Sequence, residues 1–89
     1  MSILDAWVAE STENKALLDE ETLILEVTEQ FWENMNQQGV TKAELARRMG
    51  VSKAHVSKLL DGSNNLTLRK IANMATALSM KLNVSLEPE

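Results

Sequence analysis

The hydrophobic positions of this chain fall into groups of helical spacing punctuated by three glycines, Gly39, Gly50 and Gly62. In residues 21–38, Ile24, Val27, Phe31 and Met35 recur every three or four positions, which puts them on one stripe of an amphipathic helix. Gly39 follows as its C-terminal cap. Thr41-Lys42-Ala43-Glu44 has the form of a capping box, in which the threonine hydroxyl takes the amide three residues on and the glutamate reaches back. A short helix is therefore expected over 41–48, ending at Gly50. Ser52 can cap a second short helix from Lys53 to Leu60, closed by Asp61-Gly62. Ser63-Asn64-Asn65 reads as a polar turn. Thr67 then caps a fourth helix, with Leu68, Ile71, Ala72, Ala75 and Leu78 expected on its inner face.

The two ends follow other patterns. Residues 81–86 alternate, with Leu82, Val84 and Leu86 on one side, a period-2 strand signal. A lone strand in a helical chain has unpaired amides that invite a second copy, so this segment is read as a dimerisation element, or else as a tail. Residues 1–20 contain Ile3, Leu4, Trp7 and Val8, enough for an amphipathic turn, and then the polar stretch Glu10–Lys15. The expected organisation is an acidic arm or short helix over 1–20, a helical domain over 21–80, and a strand or tail over 81–89.

Composition narrows the function classes. Eighty-nine residues make one domain at about 100–200 residues per domain. With no cysteine and a single histidine, His55, neither a thiolate metal site nor a cysteine nucleophile is expected. No metal or other cofactor is expected. No apolar run approaches the roughly 18 residues of a membrane span, and the acidic N-terminus lacks the basic flank of a secretory signal; the expected address is cytoplasmic. Ser57, His55 and Asp61 could be imagined as a triad, but on one short exposed helix nothing desolvates or orients them. The chain is not expected to be an enzyme.

The net charge of −4 hides an asymmetry. Residues 1–39 hold nine acids against Lys15 alone, a net of −8, whereas residues 40–70 hold seven bases against Glu44 and Asp61, a net of +5. A basic segment within an acidic chain suggests a surface facing a polyanion, or two solvated faces that attract one another.

The two short helices about Gly50-Val51 carry the most information. Ala46 lies where two helices crossing at about 90–120° approach closest, and Gly50 supplies the positive φ of the turn. Leu45, Met49, Val51, Val56 and Leu59 are expected on the inner faces, and Met35, Met49, Met74 and Met80 as gap-filling core residues. Ser52, Lys53, Ala54, Ser57 and Lys58 face outward, small or basic, a surface suited to a DNA major groove. Arg47 and Arg48 read as solvated charges beside Glu44, and Trp32 as a core or interface residue.

This stretch resembles the helix-turn-helix of Cro/C1-type phage repressors, also called the xenobiotic-response-element type. The resemblance extends through GSNNLTLRKIANMATAL and covers about residues 21–80. It implies an all-α, lambda-repressor-like bundle that binds double-stranded DNA as a homodimer and represses transcription from an inverted-repeat operator. It also assigns roles by position. Lys42 would hold the backbone or a flanking base. Lys53, Ala54 and Lys58 would read bases, with Ser52 and Ser57 near phosphates and His55 either a phosphate contact or a packing residue. Asn64, Asn65 and Thr67 would grip the phosphate backbone through the loop and the following helix start. Ala54 departs from the polar residue frequent at its position and is suited to a thymine methyl. Small members of the family, HigA-like antitoxins among them, bind a toxin and repress their own operon. The −8 flank makes a basic toxin an alternative partner, with Trp7 or Trp32 as anchor.

Overall fold

The computed structural model describes residues 12–62 and 66–88. Helix α1 spans Thr12–Gln38, α2 Lys42–Met49, α3 Lys53–Asp61 and α4 Leu68–Ala77. The expected turn around Ile3, Leu4, Trp7 and Val8, and the loop residues Asn64 and Asn65, lie outside the described residues.

Helix α1 starts well before residue 21, where the hydrophobic stripe begins. No glycine or proline interrupts 12–38, and Lys15, Ala16, Leu17, Leu18, Glu20 and Glu21 are strong helix formers. Lys15 also pairs with Asp19 one turn on, at 2.6 Å, a modest local support. Farther along, the Thr28 hydroxyl is buried and donates to the carbonyls of Ile24 and Leu25. That satisfies the hydroxyl within its own helix.

The starts of the three shorter helices follow the caps read from the sequence. Thr41, Ser52 and Thr67 all have extended backbone, and their hydroxyls accept from the amides of Glu44, His55 and Lys70. The capping box at Thr41 is only half formed, because the Glu44 carboxylate is engaged by Arg47 and Arg48 instead.

Three helix ends share one construction. Gly39, Gly50 and Ser79 are left-handed, with φ of 68°, 70° and 56°. After each, the next amide donates five residues back: Val40 to Met35, Val51 to Ala46 and Met80 to Ala75. This is the Schellman ending, met twice by glycine and once by a serine that must tolerate a backbone region unfavourable to side chains.

Helix α2 packs on both α3 and α4, and α1 packs on α3. Leu45, Val56 and Leu59 are fully enclosed, joined by Phe31, Met35, Met74 and Leu78. Ala46 is buried at the α2–α3 approach, as its small size requires.

Several expectations fail in instructive ways. No strand forms over 80–88. A strand needs a second extended segment to take its amides, and the other described segments are helices that use their own. Leu82 still turns inward against the core, while Val84 and Leu86 point to solvent. On α4 the packed arc is Ile71, Met74, Ala75 and Leu78, which leaves Leu68 and Ala72 outside it. Met80 and Val51 are also exposed rather than core residues.

Candidate nucleic-acid interface

Helix α3 buries Val56, Leu59 and Leu60 and turns Lys53, Ala54 and Lys58 outward. The split follows from helical geometry: positions 56, 59 and 60 share one face, and 53, 54, 57 and 58 lie on the opposite arc. Ser57 and His55 are half-buried along the margins of that arc. Ser52 precedes the helix, exposed, with its oxygen 3.0 Å from the His55 amide. A surface of two lysines, small side chains and a helix N-terminus is shaped for close approach to an anionic ligand.

The remaining candidates are distributed around this helix. Lys42 opens α2, and its Nζ lies 5.0 Å from the centre of the Trp32 ring. The ring face attracts the ammonium and so constrains the direction of its stem. Thr67 is exposed at the start of α4, 3.2 Å from the Lys70 amide that it caps. The hydroxyls of Ser52 and Thr67 thus serve their own helices first and offer only a proton to a phosphate.

Arg47 and Arg48 are occupied elsewhere. Both donate to the Glu44 carboxylate, and Arg48 also donates to the Ala77 carbonyl at the end of α4, 3.1 Å away. Gln38 donates to the next carbonyl, that of Leu78, at 2.8 Å. Two side chains from α1 and α2 therefore satisfy the free carbonyl end of α4. The hydrogen bonds from Arg47 and Arg48 pull the Glu44 carboxyl down from its ordinary 4.5 to about 2, and Arg47 is raised in turn. Sequence spacing gave Glu44 its arginine partners at three and four residues. It held no signal for Gln38 or Arg48 reaching α4, or for Trp32 meeting Lys42.

A family model described as Helix-turn-helix matches residues 33–87, more than half of the chain. The chain belongs to the Cro/C1-type helix-turn-helix family. The match takes in α2, α3, α4 and the C-terminal tail, and leaves out most of α1. Among curated proteins, an antitoxin named HicB from Pseudomonas fluorescens (strain Pf0-1) is 32% identical over 57 residues. That alignment covers 64% of this chain but only 39% of the relative, so the chain spans well under half of the relative's length. No solved structure matches significantly. No described helix is long and apolar enough to cross a membrane.

Proposed function

We propose that this protein is a sequence-specific DNA-binding transcriptional repressor, acting in the cytoplasm as a homodimer on an inverted-repeat operator. The observation that carries the reading is α3: within a helix-turn-helix scaffold, its solvent face is formed by Lys53, Ala54 and Lys58. In this reading α3 enters the major groove, where the lysines reach guanine acceptors or phosphates and Ala54 meets a thymine methyl. Ser52, Ser57, His55 and Thr67 would lie around the groove edge, and Lys42, whose ammonium lies over the Trp32 ring, would contact the backbone. Two copies would occupy half-sites about 34–36 Å apart. The reading gives the chain no catalytic step and no cofactor.

Protection mapping upstream of the protein's own reading frame should reveal a palindrome. On that site, Lys53→Ala with Lys58→Ala should abolish preference over random DNA without loss of helicity. Unchanged preference in a mobility-shift assay removes α3 from the reading role.

A second reading is favoured by the HicB antitoxin relative: an antitoxin that neutralises a toxin and represses its own operon. The acidic character of α1, with Asp19, Glu20, Glu21, Glu26, Glu29 and Glu33, suits a basic partner. Copurification with the product of the adjacent reading frame, lost on charge reversal at the exposed Glu26, Glu29 and Glu33, would support it. Failure of the neighbour to copurify leaves repression alone.

A further inference from the structure

Two surfaces of this chain are unoccupied among the described residues, and their chemistries are opposite. The first is the N-terminal overhang of α1. Val27 is the first residue of α1 in the core cluster and Ile24 packs at Gly62 just before it; at 1.5 Å per residue, residues 12–23 project by roughly 18 Å. A free helix of that length is marginal in water unless something packs on it. Leu17 and Leu23 are half or more exposed on this overhang, flanked by Asp19, Glu20 and Glu21.

The second is a groove between α4 and the tail, of about 280 Å³, lined by Leu68, Ala72, Met80 and Val84. Leu68 is 79% exposed and Val84 77%, so the groove is open to a partner. From Gly62 to Leu86 the sequence contains no acidic residue, while Arg69, Lys70 and Lys81 supply positive charge. Ala72 and Thr76, one turn apart, are small enough to let another helix approach closely.

We propose that two copies pair reciprocally, with the α1 overhang of each lying in the α4–tail groove of the other. The apolar part of each contact is Leu17 against the Leu68–Ala72–Val84 surface. The charged part sets Glu20 and Glu21 against Arg69 and Lys81. Both halves of the interface belong to the same chain, so the occupant is a second copy, and reciprocal pairing closes the assembly at two. The groove uses none of the outward residues of α3, which stay free for a ligand. The proposal deepens the repressor reading by naming the surface through which its dimer forms. It is tested without DNA: a dimer indifferent to substitutions in this surface would overturn the surface and leave the repressor reading standing, whereas a monomer would count against the homodimer in both.

The test is sedimentation equilibrium of the full chain, whose mass is 9.9 kDa. The wild type should sediment at twice that mass. Ala72→Glu and, separately, Leu17→Glu should each weaken the dimer at least tenfold while circular dichroism shows helicity retained. Arg69→Glu with Lys81→Glu should weaken it likewise, and adding Glu20→Lys with Glu21→Lys should restore it. The absence of cysteine allows a direct check: mixing Leu17→Cys protein with Ala72→Cys protein under oxidation should give a cross-linked heterodimer. A monomeric wild type, a dimer indifferent to these substitutions, or open polymers would each overturn the proposal.

Discussion

A Cβ atom built on Gly62 would sit 2.8 Å from Cγ2 of Ile24, inside any tolerable contact. Gly62 also holds a φ of 72°, so the end of α3 meets α1 at a point where both backbone conformation and space demand glycine. The Ile24 methyl is fixed to a β-branched carbon and cannot swing away cheaply. Gly62→Ala should therefore cost about 2–4 kcal/mol in urea unfolding, the sum of the left-handed penalty and the clash. Gly50→Ala, with open space around it, should cost only about 1 kcal/mol. In an Ile24→Ala background the Gly62→Ala cost should fall toward that value; an unchanged cost would remove Ile24 as the cause.

Ser79 occupies the left-handed position that glycine fills after α1 and α2. Ser79→Gly should raise stability by about 0.5–1 kcal/mol, because the backbone strain relieved exceeds the entropy added to the unfolded chain. A rise in Tm of a few degrees is the expected readout. A fall would mean that the serine hydroxyl contributes something its backbone does not show.

Glu44 makes stability depend on acid. Its folded pKa of about 2 lies below its ordinary 4.5, so its contribution is complete above the unfolded value and is lost as pH falls from about 4.5 toward 2. Glu44→Gln should flatten that part of the stability–pH curve. Sodium chloride should shrink the difference, since the cluster is solvent-exposed.

Core and reading surface should separate under mutation. Leu59 is fully buried on α3, and Leu59→Ala should destabilise by about 2–5 kcal/mol. Lys53→Ala and Lys58→Ala, on the same helix but exposed, should change stability by no more than about 0.5 kcal/mol. A large loss from either lysine would give it a structural role.

The local grammar of the fold is legible in the sequence because it is written in neighbouring residues. Thr41, Ser52 and Thr67 announce helix starts, and Gly39 and Gly50 announce ends, through contacts within a few positions. The face of α4 is less legible: Leu68 and Ala72 carry the right hydropathy but lie off the arc centred on Met74, which only the position of α2 decides. The tail has the alternation of a strand but meets no strand partner among the described residues, so alternation alone does not specify pairing. For the candidate site, the outward residues of α3 follow from periodicity. The Trp32–Lys42 contact and the capping of α4 by Gln38 and Arg48 join distant elements, and no spacing rule reaches that far.

The Glu44 cluster has a further consequence for how salt acts on DNA affinity. Each phosphate that a protein neutralises releases condensed counterions and steepens the fall of log K with log salt by about 0.9. Residues 40–70 contain seven bases, yet Glu44 offsets one positive charge of the Arg47–Arg48 pair, and Arg48 is also held to the end of α4. Two arginines against one glutamate leave a single net positive charge, so one of the seven is withdrawn from the polyelectrolyte count. The salt slope per protomer should be correspondingly shallow, leaving more of the affinity to short-range contacts that distinguish one sequence from another.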